Sequence, residues 1–470
     1  MVELLLLPAV IIFVLSFIKS EKTHKPLAFI SFLILLPSAE LLSIKKPLHL
    51  LGDYLVVDDM GAYILLLSSI VGVGVALALM TLGKHVEVSK NAYRRFYRFF
   101  AIFWVGLIFS ILSNHIGIYW IGLELATLST VYMIKTNHSN VAHKEAWNYM
   151  IVGAIAISLI LFGIILIYAS AKPVLGEDAM NFHLLLSHAK EIRSPFLFEI
   201  GFAVVSIGMF IKMGFFPMNL WLANIERASF YPVAALFSGI LESAVMIGFF
   251  RFSKIAMEVN YDHLFTFVFV YTILTIFIVS FLIFRTKDFM RLFSLSGVEH
   301  MALIALFWVS GGTFAALLHF GAHAFLKPAL FLSTGVLESN GKYKMAGALK
   351  GYQGEKGALF WFLVSLFLLA VVSLPPSPMF FSEIYGFGAM ISVAKHGDHL
   401  LAMMGAILIL LILLSIIFYK FVEVYQSMKY EGEVYPKKVY ASELFALVMF
   451  AIALIGLLSS PVIDYLKGIS

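Results

Sequence analysis

Three residues of one apolar stretch, His319, His323 and Lys327, recur at every fourth position. On a helix that spacing puts all three on one face. Imidazole takes up and releases a proton near neutral pH. A lysine ammonium is a compact charge that shifts readily when buried. The row is therefore a candidate proton wire. Two histidines at i and i+4 also suit a metal pair, but no glutamate or third histidine lies nearby in sequence, so no metal is expected. Further ionisable residues interrupt other apolar stretches: Glu124, Lys212, Glu242 and Glu383. At the centre of a bilayer such a group costs at least ~2.5–3.5 kcal/mol on insertion scales, so it needs a partner, water or a function. Static ion pairs that lock helices together are the alternative. So many buried acids and bases along one chain favour ion movement. Lys420, near a helix end, reads as an interfacial anchor whose head snorkels to water.

The elements that must position these residues are membrane spans. Of the 470 residues, 61% are hydrophobic and 13% charged, where a soluble domain is nearer a quarter charged. At ~20 mostly apolar residues per span, fourteen spans are expected, near 2–18, 27–43, 60–82, 97–113, 115–134, 146–169, 197–222, 231–252, 264–284, 298–311, 313–335, 358–394, 400–422 and 442–466. The first lacks a basic start and a small-residue cleavage site, so it reads as a retained span. The connection around 169–195 is expected to hold a small surface helix. No linker divides the chain, which reads as a single membrane domain, 1–470. Lysine and arginine concentrate in alternate connections, such as Lys84, Lys90, Arg94, Arg95 and Arg98, or Lys342, Lys344, Lys350 and Lys356. The positive-inside rule puts those loops in the cytoplasm and both termini outside a prokaryotic plasma membrane. The pI near 9.0 reflects these loops and implies no nucleic-acid partner.

Two spans look broken. The stretch 197–228 runs through Lys212 into Pro217, and 358–394 carries Pro375, Pro376 and Pro378 before Glu383. Proline frees backbone carbonyls that can face a polar cavity but not lipid. Interrupted helices in corresponding positions of two halves point to an inverted repeat with ion sites at mid-membrane. The breaks fall in spans seven and twelve. An offset of five reverses orientation, as an inverted five-helix repeat requires. The expected repeats run about 97–252 and 264–422. The chain has no cysteine, so it holds no cysteine-bound cluster. No cofactor and no redox chemistry are expected in it.

The segment KMGFFPMNLWLANIERASFYPVAALFSGIL (212–241) resembles the proton-channel signature of the antiporter-like subunits of respiratory complex I. That family also includes Mrp cation/proton antiporters and energy-converting membrane hydrogenases. IGLELATLSTVYMI (121–134) is similar to its fifth-helix acidic motif. RLFSLSGVEHMALIAL (291–306) and LHFGAHAFLKPALFLSTG (318–335) resemble its tenth and eleventh helices, and SLPPSPMFFSE (373–383) the break in its twelfth. The matches run in family order over about 120–385. Their wording lies nearest the formate-hydrogenlyase and membrane-hydrogenase branch. The resemblance implies that Glu124 pairs with Lys212 in a first half-channel. It implies that Lys327 and His323 are central relay groups and Glu383 the terminal one. Glu299 and His300 resemble family residues at the start of the tenth helix. The chain departs from the family at Asn219 and Glu226, where histidine is frequent, and at Ser243, where many members have lysine. Glu242 points about 100° away from that position; it either substitutes as a relay or faces a partner.

The function so implied is ion translocation, of protons with sodium as the alternative ion. The chain would work within a multisubunit, complex I-related assembly whose soluble arm carries Fe–S or NiFe centres. The runner-up is a subunit of an Mrp-type sodium/proton antiporter with no redox arm. A stand-alone solute transporter fits the polar lining of Lys, Glu and His poorly. A purely structural anchor for a hydrogenase arm would tolerate loss of the buried charges.

Overall fold

The computed structural model describes residues 2–18, 35–42, 46–82, 90–135, 139–192, 194–333, 368–396, 400–427, 446, 448–449 and 451–469. Most of these are helical. Nine helices among them are long and apolar enough to cross a membrane, judged by length and composition. Most of the span expected at 27–43, part of those at 358–394 and 442–466, and most of the basic loops at 83–96 and 338–356 fall outside the described residues.

The helices in chain order are α1 (Val2–Leu15), α2 (Leu35–Glu40), α3 (Asp59–Leu82), α4 (Lys90–Leu112), α5 (Ile116–Ile134), α6 (Asn140–Leu175), α7 (Phe182–Ser187), α8 (Pro195–Lys212) and α9 (Asn219–Ala228). They continue as α10 (Tyr231–Leu236), α11 (Glu242–Arg285), α12 (Phe289–Val309), α13 (Thr313–Ser333), α14 (Pro378–His396), α15 (Leu400–Ser427) and α16 (Ser460–Ile469). The chain forms two compact units. One comprises residues 1–73, 88–221 and 240–269, and the other 74–87, 222–239 and 270–470.

In the first unit α4 packs along α5, and α6 along α8. Glycine permits both approaches. A Cβ at Gly106 would sit 2.7 Å from the Gly122 carbonyl and one at Gly122 2.7 Å from the Ser110 amide, while Gly163 and Gly201 meet in the same manner. Lipid tails are as apolar as leucine, so helices in a bilayer associate by such close packing of small residues. The lipid-facing sides of α6 and α11 carry exposed Ile155, Phe162, Ile165 and Ile151 on the first and Phe277, Phe281 and Phe284 on the second. At one end lies a feature that an all-helical reading does not contain: a hairpin of β1 (Leu48–Leu50) and β2 (Leu55–Val57), with Leu48 opposite Val57 and Leu50 opposite Leu55. Arg251 fastens this end, donating to the Ser113 carbonyl at 2.7 Å and to the Asp58 carboxylate at 3.1 and 3.3 Å. Asp53 in the hairpin accepts from His49, which holds its carboxyl below the usual range.

In the second unit α12 and α13 are fully buried helices. α13 packs against α12, α10 and α14. The span expected at 298–311 is longer than its apolar run. Helix α12 starts at Phe289, where Asp288 caps it by accepting from the Arg291 amide at 3.1 Å. Hydropathy misses the first two and a half turns because their polar groups are buried in protein rather than facing lipid. The spans expected at 231–252 and 264–284 are two helices that meet without a loop: α11 joins them at a kink at Asn260 (φ −160°, ψ 96°), and the first begins earlier, with α10. The small helix expected in 169–195 is α7, reached after α6 has extended to Leu175.

Candidate functional site

Both proline breaks are present, and each is stitched by its own backbone. After α8 ends at Lys212, the Phe215 amide donates to the Phe210 carbonyl (2.8 Å), Gly214 to Ile211 (3.1 Å), and the Trp221 indole to Ile211 (2.8 Å). Gly214 takes φ +74°, a region that glycine enters without a Cβ clash. The second break lies between a helical turn at 368–371 and α14. There Leu374 donates to the Leu369 carbonyl (3.2 Å) and the Ser377 hydroxyl to Ala370 (2.9 Å). Orphaned helix-end carbonyls thus find donors within the protein.

The first unit holds Lys212, 7% exposed, at the C-terminus of α8, where the helix dipole favours a cation. Its ammonium donates to the Thr127 hydroxyl at 2.6 Å, and Thr127 donates in turn to the Leu123 carbonyl at 2.7 Å. Thr130, one turn on, meets the Tyr149 hydroxyl at 2.9 Å, and the Tyr149 ring stacks on Trp221 at 5.1 Å. Glu124 lies half-buried on the same helix, with one carboxylate oxygen buried and unbonded. The direct Glu124–Lys212 pair implied by the family likeness is not formed. The two side chains interact through space without an ion pair within 4.0 Å, and Thr127 takes the hydrogen bond. Glu242 is buried at the start of α11, just after a π-helical turn at Phe237–Leu241.

The second unit gathers six of the expected residues into one buried assembly. Lys327 donates to the Ser296 hydroxyl at 2.6 Å and to the Phe293 carbonyl at 3.1 Å, both on α12. The row His319–His323–Lys327 does lie along α13, but it is not a wire of its own. His300 of α12 stands beside it, with ring centroids 5.1 Å from His319 and 6.0 Å from His323. His300 Nδ1 and His319 Nε2 are 3.0 Å apart, and His319 Nδ1 is 2.8 Å from the Ser382 hydroxyl. Ser382 gives its only proton to the Met379 carbonyl (2.7 Å), so it accepts from His319 Nδ1–H. His319 Nε2 is then an acceptor, and His300 Nδ1–H donates to it. Glu299 and His300 are not at the start of their helix but near the middle of α12, and the Glu299 carboxylate lies 3.6 Å from His300 Nδ1. Glu383, on α14, accepts from Ser373 in the break.

Sequence reading passed over three parts of this assembly. Glu226, noted only as a departure from the family, is 1% exposed and lies in the second unit near Ser294 and Lys327. The hydroxyls of Ser296, Ser373 and Ser382 complete the contacts, as Thr127 does in the first unit; serine and threonine are too common in membrane helices to signal a role. The third histidine and the glutamate whose sequence distance argued against a metal are supplied by α12 and α14: donor atoms of His300, His319 and Glu383 lie within 4.8 Å of one another. Lys420, the expected anchor, pairs with exposed Glu423 at 2.9 Å.

Residues 113–422 match the family described as NADH:quinone oxidoreductase/Mrp antiporter, TM. The chain is 32% identical over 391 residues to a hydrogenase-4 component F homolog of Methylacidiphilum infernorum (isolate V4), covering 81% of each chain. Its fold matches a chain of the membrane-bound sulfane sulfur reductase, an archaeal respiratory membrane complex, with TM-score 0.84 at 20% identity over 99% of this chain and 95% of the other. It also matches a chain of the Mrp complex from Dietzia sp. DQ12-45-1b, with TM-score 0.82 at 14% identity over 99% and 96%.

Proposed function

The chain belongs to the NADH:quinone oxidoreductase/Mrp antiporter membrane family, and from that premise we propose that it carries protons through the membrane arm of a complex I-related, energy-converting hydrogenase. It is a multi-pass membrane subunit of the complex I-related and Mrp-like class. The proposal assigns it fourteen spans in two inverted repeats, both termini outside, and neighbours that include other membrane subunits and a soluble arm with Fe–S or NiFe centres. The likeness to a hydrogenase-4 component supports the hydrogenase assignment over an Mrp antiporter.

One observation carries the ion-transport reading: the buried row from Lys327 through His323, His300 and His319 to Ser382 and Glu383. Imidazoles linked nitrogen to nitrogen pass a proton by exchanging donor and acceptor roles. A structural ion-pair lock needs opposite charges in contact. Here Lys327 bonds to a hydroxyl and a carbonyl, and the hydrogen-bonded pair His300–His319 beside it runs on to Ser382. Such a row costs stability, since a buried charge is desolvated at several kcal/mol, and a transport role gives that cost a function. Within the first unit, Glu124, Thr127 and Lys212 form the corresponding entry.

The test is redox-driven proton uptake by the purified complex in sealed vesicles. Lys327→Ala in an assembled complex is expected to abolish uptake through this subunit. Unchanged uptake removes the assignment. Co-purification of an Fe–S or NiFe protein is expected, whereas small membrane subunits alone would favour the Mrp reading.

A further inference from the structure

We infer that the buried His300–His319–Glu383 cluster is a binding site for a divalent transition-metal cation of the zinc class. The donor set is two imidazole nitrogens and a carboxylate, with a second carboxylate, Glu299, 3.6 Å from His300 Nδ1. Zinc takes nitrogen and carboxylate oxygen ligands in fours at ~2.0–2.2 Å. Tetrahedral nitrogens at that radius stand roughly 3.3 Å apart, against 3.0 Å between His300 Nδ1 and His319 Nε2. A small outward shift of the rings therefore admits the ion.

The surroundings have the form of a metal site's outer shell. His319 is oriented by its Nδ1–H bond to Ser382, whose hydroxyl is in turn fixed on the Met379 carbonyl, so Nε2 presents its lone pair to the cluster. Second-partner hydrogen bonds of this kind fix the tautomer of metal-bound histidines. Glu383 is oriented by Ser373. Glu299 is 1% exposed, and neither of its oxygens has a hydrogen-bond partner among the described residues. A buried carboxylate in that state lacks compensation, and a cation beside His300 supplies it. Two carboxylates balance a dication. The nearby Lys327 ammonium opposes it, but is itself held by Ser296 and Phe293. The cluster adjoins the second break, where Pro375 and Pro376 are exposed and Ser373 touches Glu383.

Binding seats the metal on His300 Nδ1 in place of the proton shared with His319, and that proton moves to Nε2 of the same ring, which stays neutral. The link between the two imidazoles is then closed to protons. This inhibitory consequence rests on the proton-transport reading; the metal site does not.

The experiment compares the assembled wild-type complex with complexes carrying His319→Gln, Glu383→Gln or Ser382→Ala. Each is equilibrated with zinc alone, desalted and analysed for zinc per complex, so that sites on other subunits cancel. Both ligand variants are expected to hold one zinc fewer than wild type, with the wild-type zinc-edge spectrum showing two imidazoles. Ser382→Ala leaves all ligands in place and is expected to bind 10–100-fold more weakly; it serves where a ligand variant fails to assemble. Equal zinc content and affinity in all complexes overturns the site. Proton uptake by wild type is expected to stop at saturating zinc. A zinc difference in a complex that takes up no protons leaves the metal site standing and removes the transport reading; uptake without a zinc difference does the reverse.

Discussion

Replacing Thr127 by valine keeps the side chain's shape and removes one oxygen. That oxygen accepts the Lys212 ammonium at 2.6 Å and is the hydrogen-bond acceptor described for Lys212. A hydrogen bond to a charged group contributes about 1.5–3 kcal/mol. At 1.36 kcal/mol per factor of ten, its loss reduces occupancy of the ammonium at this position by roughly 10- to 150-fold. The Leu123 carbonyl, which the threonine hydroxyl also reaches at 2.7 Å, lies within the same helix and keeps its backbone bond. The cost therefore falls on Lys212 rather than on the fold. Redox-driven proton uptake by the assembled complex is expected to fall at least tenfold in Thr127→Val and to stay near wild type in Thr127→Ser, which keeps the oxygen. Assembly on native gels should be unchanged in both. Wild-type uptake by Thr127→Val refutes the argument, because it means that the ammonium's position during turnover does not depend on this bond.

Lys327→Arg should fail nearly as badly as Lys327→Ala in proton uptake, since arginine keeps charge but is not deprotonated in proteins; strong rescue by arginine alone would mark a structural ion pair. The chain has no cysteine, so single cysteines placed at Ser89 and Ser339 are expected to react only with reagents that reach the cytoplasm; labelling from outside in sealed cells reverses the topology. Gly122→Leu forces α4 and α5 apart, because even a Cβ there would meet Ser110 at 2.7 Å; a loss of about 1–3 kcal/mol should appear as lower yield and melting temperature of the complex, and a wild-type melting temperature would show that the contact gives way freely.

Much of this protein is legible in its sequence because the solvent of a membrane helix is uniform. Twenty apolar residues in lipid have one outcome, a helix with its hydrogen bonds internal. Composition alone therefore finds α4, α5 and α13 to within a few residues, apart from the amphipathic first turns of α4. Proline beside a buried charge likewise marks both breaks, since a ring without an N–H cannot continue the helix. The helical face shared by His319, His323 and Lys327 follows from the 3.6-residue repeat.

What the tertiary structure decided is which neighbour each polar group meets. Helix periodicity fixes the face of α13 but not the helix opposite it, so His300, Ser296 and Phe293 of α12 enter only through packing. Glu124 and Lys212 have opposite charges, and the family resemblance implies that they pair. The backbone places Thr127 at the ammonium instead, a matter of a few ångströms that no residue pattern encodes. Hydropathy also fails where polar residues are covered by protein rather than lipid, as in the first turns of α12. Burial among neighbouring helices satisfies these groups, and a one-dimensional scan averages over the neighbours that do it.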